Sequence, residues 1–113
     1  MNELEKELNE VVSIVIECCV TTIDNGSYSI TRNDVLGKSK KENASIVRNM
    51  LATHLIKDGF SMTTISLLMG RTIQSVRNML QAHEEWMRNS NAYRIANAQV
   101  IRKLSARNSQ ENL

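Results

Sequence analysis

An all-α fold, a compact multi-helix domain built around a helix–turn–helix, is what the sequence predicts, and three observations carry that reading. The 113 residues contain no proline and only four glycines, so little interrupts helical hydrogen bonding. β-Branched runs are short, while the longer segments repeat apolar residues every three to four positions. Residues 61–80 read as helix, glycine turn, helix. A chain of this length is expected to form one domain that buries its core without disulfides, here residues 1–106 followed by a flexible tail at 107–113.

Taken in order, the first helix is predicted from Asn2, which can cap it together with Glu5, to about Thr22. Leu4, Leu8, Val11, Val15 and Cys18 or Cys19 lie along one side of it. Asp24-Asn25-Gly26-Ser27 breaks this helix, and a polar connection passes through Tyr28 and Ile30. Thr31 with Asp34 can cap a single turn at Val35 and Leu36, and Gly37-Lys38-Ser39-Lys40-Lys41 forms a basic loop after it. A core helix over about 42–57 packs Ile46, Met50, Leu51 and Leu55 and closes at Asp58-Gly59. The motif comes next, and its second helix is expected to run to about residue 87. Asn89-Ser90-Asn91 interrupts the helical pattern there. A last helix over about 92–106 offers Ile95, Ala98, Ile101 and Leu104 to the core, and Trp86 and Met87 pack under it. Met50, Met62, Met69 and Met79 read as core filler.

Charge is unevenly spread. Residues 1–30 hold six acids against Lys6, a formal −5, and the rest of the chain holds thirteen lysines and arginines against six acids, a formal +7. The basic part contains the motif, and such a bias attracts polyanions. Other chemistries find little support. The apolar stretch from Val11 to Ile23 is interrupted by Glu17 and is too short to span a bilayer, so no membrane or targeting segment is expected. Cys18 and Cys19 are adjacent and cannot readily bridge each other, which suits two reduced thiols in a cytoplasmic protein. His54 and His83 have no acid or thiol at ligand spacing, so no metal or other cofactor is expected. No nucleophile, base and orienting group can be assembled, so the chain reads as non-enzymatic. Gly37-Lys38-Ser39 lacks the upstream glycine and hydrophobic strand of a phosphate-binding loop.

The motif, about 61–83, carries the candidate site. Ser61 can cap its first helix, Ile65 and Met69 form a buried stripe, and Gly70 supplies the turn. Thr72 can cap the second helix, the candidate reader. Val76, Met79 and Leu80 face inward, leaving Gln74, Ser75, Arg77 and Asn78 for base edges and phosphates. Ile73 has two readings, core three residues before Val76 or groove-facing against a thymine methyl.

The element order and several local runs resemble the C-terminal DNA-binding domain of the bacterial replication initiator DnaA, in the superfamily that includes the Trp repressor. Val15-Ile16-Glu17-Cys18-Cys19 is similar to the end of that family's first helix, residues 30–38 to its one-turn helix and loop entry, and Arg48-Asn49-Met50 to its core helix. Residues 20–29 look like an insertion. Met69-Gly70-Arg71-Thr72-Ile73-Gln74-Ser75-Val76 falls on the family signature but lacks its second glycine, its Asp and its His. The resemblance implies DNA contact at Arg71, Ile73, Gln74 and Ser75, with changed chemistry at most of them, and a loop cation for the minor groove at Lys40 or Lys41. A free-standing domain of this type suits an accessory protein of a phage, plasmid or other mobile element.

Two function classes are compatible with these residues. The first is a double-stranded DNA-binding protein acting in replication initiation or control, or in transcription regulation. In it Thr72, Ile73, Gln74, Ser75, Arg77 and Asn78 sit at the major groove, and Lys38, Lys40, Lys41, Arg48 and Arg71 hold the backbone or an adjacent groove. The second is a protein-interaction adaptor that keeps the fold without reading DNA, docking through the acidic first helix or Ile73.

Overall fold

The computed structural model describes residues 2–22, 30–38 and 41–111, with side chains to Arg107. Six helices succeed one another among the described residues, with no strand: α1 (Glu3–Thr22), α2 (Arg32–Leu36), α3 (Glu42–Lys57), α4 (Met62–Met69), α5 (Ile73–Asn89) and α6 (Asn91–Glu111). No helix is long and apolar enough to cross a membrane among those residues.

Local chemistry sets the helix starts. Asn2 Oδ1 accepts from the Glu5 amide at 2.8 Å, and Thr31 and Asp34 form a reciprocal capping box on α2. Ser61 Oγ accepts from the Thr64 amide and Thr72 Oγ1 from the Ser75 amide, both at 3.1 Å. Each cap gives a partner to one of the amides a helix start leaves unpaired. The predicted break at 24–27, Tyr28, Ser39 and Lys40 lie outside the described residues.

The helix α3 is the axis of the core. Every residue from Ile46 to Leu55 is buried, because α1, α2, α4 and α5 all pack against it. Polar side chains carried into such an interior need partners, and of the four that α3 brings there Arg48, Thr53 and His54 find them within the protein, while Asn49 borders a cleft. His54 Nε2 donates to Asn97 Oδ1 of α6 at 2.6 Å, while His83 Nδ1 of α5 and the Tyr93 hydroxyl of α6 share a 2.6 Å hydrogen bond. The two imidazoles are 6.4 Å apart edge-on, and Trp86 stacks on Tyr93 at 6.0 Å. Burial is the main influence holding both imidazoles below the usual histidine pKa, and they serve as structural links between α3, α5 and α6. The thiols of Cys18 and Cys19 are buried and free, and burial pushes Cys19 up to about 12.

The last helix differs from expectation in face and in length. Its packed side is Tyr93, Ala96, Asn97, Val100 and Leu104, whereas Ile95 and Ile101 are 45% and 48% exposed and Ala98 is exposed too. These two rows lie roughly 140° apart around the helix at 3.6 residues per turn. The winning row contains Asn97, whose burial is tolerated because His54 answers its carbonyl. Nor does the helix end at residue 106. It continues to Glu111, and Arg107 donates to Glu7 at 2.6 Å and Glu10 at 3.0 Å, clamping the region expected as a tail onto α1.

Candidate nucleic-acid interface

The motif is present with the boundaries its sequence predicts. Met69 ends α4, Gly70 turns at φ +61, and Thr72 opens α5. The left-handed backbone at Gly70 is what an L side chain resists, while the space around it is open, so glycine is needed there for conformation alone. Ile65, Met69, Val76 and Met79 hold the pair of helices on the core, with Leu80 half-buried. The exposed side of α5's first two turns then carries Ile73, Gln74, Arg77 and Asn78, with Ser75 half-buried beside them.

Gln74 Nε2 donates to Asn78 Oδ1 at 3.1 Å. That bond fixes the two amides side by side, leaving Gln74 Oε1 as an outward acceptor and Asn78 Nδ2 as a donor. Adenine shows the complementary pair, an N6–H donor and an N7 acceptor, in the major groove. Arg77 is exposed one residue away and makes no ion pair among the described residues. Ile73 is 38% exposed at the start of α5, so it is a surface side chain and not a core one. Leu67, on α4 across the turn, is 78% exposed.

Two arginines placed on the DNA side by sequence reasoning have internal partners. Arg48 is only 4% exposed, with Nε donating to Val35 O at 2.8 Å and Nη2 to Asp34 O at 2.7 Å. Burial, then the charge of Arg71, pulls its guanidinium below the usual arginine range. Arg71 is half-buried, and its Nη1 donates to Gly37 O and Met69 O, each at 2.8 Å. Both cations thus satisfy carbonyls at or just beyond helix C-termini, where orphan acceptors and the helix dipole favour positive charge. Arg48 pins α2 to α3, and Arg71 ties the start of the basic loop to the motif turn. Spacing does not reveal these contacts, since the partners are 13 and 34 residues away.

The basic loop is partly described. Lys38 is exposed, and Lys41 is exposed while pairing with Asp34 at 3.3 Å. Lys40 lies outside the described residues. Asp34, held below the usual carboxylate range chiefly by its hydrogen bond from the Thr31 amide, is an acceptor that keeps Lys41 near α2.

Sequence reasoning missed a cleft. A hollow of about 390 Å³ lies between α3 and α5, and Ser45, Arg48, Asn49, Arg71, Ser75 and Asn78 form its polar lining. Met79, Ala82 and Trp86 supply its apolar lining. The helical periods of 45-48-49 and 75-78-79-82-86 could have suggested two facing rows, but only packing brings them together.

The class defined by this arrangement is an all-α protein, with six helices among the described residues and a helix–turn–helix at its surface. Comparison with protein-family models, curated proteins and solved structures gives no match.

Proposed function

We propose that the protein binds double-stranded DNA, inserting the N-terminal half of α5 in the major groove while the loop bearing Lys38, Lys40 and Lys41 meets phosphates. The supporting observation is the Gln74–Asn78 amide pair, held at 3.1 Å on an exposed, capped helix start beside Arg77. Arg48 and Arg71 contribute in this reading by holding α2, the loop and the turn in place, so their effect on DNA is through geometry and field. Replication initiation or control and transcription regulation both suit such a module, and the likeness to the DnaA C-terminal domain supports the former. Reduced, buried Cys18 and Cys19 suit a cytoplasmic location.

The test is binding to random duplex DNA over a salt series, then selection from a random duplex pool. Affinity should fall steeply with salt, with a slope near −0.9 per phosphate contact. Selection should enrich a defined site. Absence of binding at low salt removes this reading.

A second reading, a protein-docking adaptor, draws on Leu67 and Ile73, two exposed apolar side chains on either side of the motif turn. Its other proposed surface is less available, since Glu7, Glu10 and Glu17 of the acidic first helix already pair with Arg107 and Lys103.

A further inference from the structure

We infer that the cleft between α3 and α5 binds a phosphate group, with the organic part of the phosphate ester lying against Met79, Ala82 and Trp86. The site adjoins base reading on the outer face of α5 and shares Ser75 and Asn78 with it, while Ser45, Asn49, Met79, Ala82 and Trp86 belong to the cleft alone. Asn49 is the residue that singles it out. That side chain is only 7% exposed, lines the cleft, and makes no hydrogen bond among the described residues. Its amide is open to the cleft and not sealed in the core, so it is available to whatever fills the hollow, water or ligand.

The surroundings favour an oxyanion as that ligand. Ser45, Ser75 and the Asn78 amide add donors around the same hollow, and Arg48 and Arg71 bring two positive charges close enough to depress Arg48. Among the described residues no carboxylate lines the cleft, although Asp34 lies within electrostatic reach of Arg48 and offsets part of the field. Two like charges beside hydroxyl and amide donors are the setting in which a tetrahedral oxyanion is held by several hydrogen bonds at once. The volume, about 390 Å³, exceeds what a bare phosphate needs, and the wall of Met79, Ala82 and Trp86 is apolar. A phosphate ester matches both halves. It can come from a free phosphomonoester or from the sugar–phosphate backbone of a duplex.

Trp86 is the chain's sole tryptophan and touches the cleft, so its fluorescence reports occupancy, and the side-chain amide of Asn49 reports it by NMR. The full chain is titrated with inorganic phosphate, with adenosine monophosphate and with random duplex DNA, against chloride at matched ionic strength. Ser45→Asp supplies the control, because Ser45 is exposed and outside the reader helix, so a new carboxylate there repels the ligand without disturbing the core. A saturable change in the Asn49 and Trp86 signals with phosphate or the nucleotide, weakened on the order of tenfold by Ser45→Asp, supports the site with a free phosphate source. The same change only with duplex, again weakened by Ser45→Asp, supports it with the backbone as the source. Signals unmoved by all three, or a response indifferent to Ser45→Asp, overturn it. Duplex binding that leaves the Asn49 amide unmoved and Ser45→Asp at full affinity rejects the cleft and keeps the DNA reading. Phosphate binding without any duplex binding does the reverse.

Discussion

The α1–α6 seam and the α4–α5 surface use charge in opposite ways. Along the seam, Glu7, Glu10 and Glu17 of α1 meet Arg107 and Lys103 of α6, so the acidic start and basic end of the chain neutralise each other in place. At the motif, Arg77 stands exposed with no ion pair among the described residues, and the Gln74 and Asn78 amides are bonded to each other. The division into a −5 segment and a +7 segment is therefore not one field aimed at a partner. Part of it is internal adhesion, and α5 itself is balanced, Arg77 and Arg88 against Glu84 and Glu85, so what distinguishes the motif is the position of exposed Arg77 and not a net charge. Between the two regions lies the His54–Asn97 and His83–Tyr93 network, which joins α6 to the helix carrying the candidate reader.

The largest expected effect is at that junction. Asn97→Ala leaves the His54 Nε2–H without its acceptor and opens a small void, so thermal or denaturant unfolding should show a loss of about 2–3 kcal/mol. A loss under about 0.5 kcal/mol, the level of an ordinary surface change, would detach the network from the stability of either region. The same network sets a pH dependence. Both histidines have folded-state pKa values below the ordinary 6.5, so near and below that pH the unfolded chain takes up more protons than the folded one. Stability contributed by the neutral pair is complete above 6.5 and is lost as pH falls through the lower folded values. Lys57 adds to the depression of both rings, while Glu84 opposes it at His83. Melting curves between neutral and mildly acidic pH should show this decline, and it should shrink in His54→Gln.

Next in size is the split between binding and folding at α5. Gln74→Ala should cost on the order of 1–3 kcal/mol on a selected duplex, little on unrelated DNA, and almost nothing in melting temperature. Uniform weakening on all duplexes, with folding intact, would make this face a backbone anchor and transfer base recognition elsewhere. The seam should show the reverse pattern. Arg107→Ala should lower stability by on the order of 1–2 kcal/mol, between an exposed pair and a desolvated one, whereas Arg77→Ala should stay within about 0.5 kcal/mol. Equal costs at the two arginines would erase the contrast between seam and motif. A modest cost belongs to Gly70→Ala. No atom crowds the new Cβ, so only the left-handed backbone resists it, at about 1 kcal/mol. Gly70→Asn should be milder, since asparagine tolerates that conformation.

Legibility in the sequence depends on the range of the interactions involved. Capping at Asn2, Thr31, Ser61 and Thr72 and the turn at Gly70 involve neighbours three to five residues apart, so spacing alone predicts the helix starts and the motif. The α3 boundaries, 42–57, agree as well, although its start has no side-chain cap and only its end is closed locally, by the Asp58 amide donating to the carbonyls of His54 and Ile56. The last helix offers two comparable rows, and spacing favours the wrong one. The choice between them rests on His54, 43 positions away, donating to Asn97 within the core. Its extra length rests on Arg107 reaching Glu7 and Glu10 across 100 and 97 positions. Arg48 reads as a groove cation because sequence shows its charge and not its burial; the carbonyls of Asp34 and Val35 claim it only once α2 packs on α3. By itself the sequence determined where the helices start, the four side-chain caps and the turn, since those are settled within a few residues by backbone hydrogen bonding and steric freedom. Only tertiary packing decided which polar groups were claimed internally and which, like Gln74, Arg77 and Asn78, were left facing outward, because burial is a property of neighbours that chain distance does not encode.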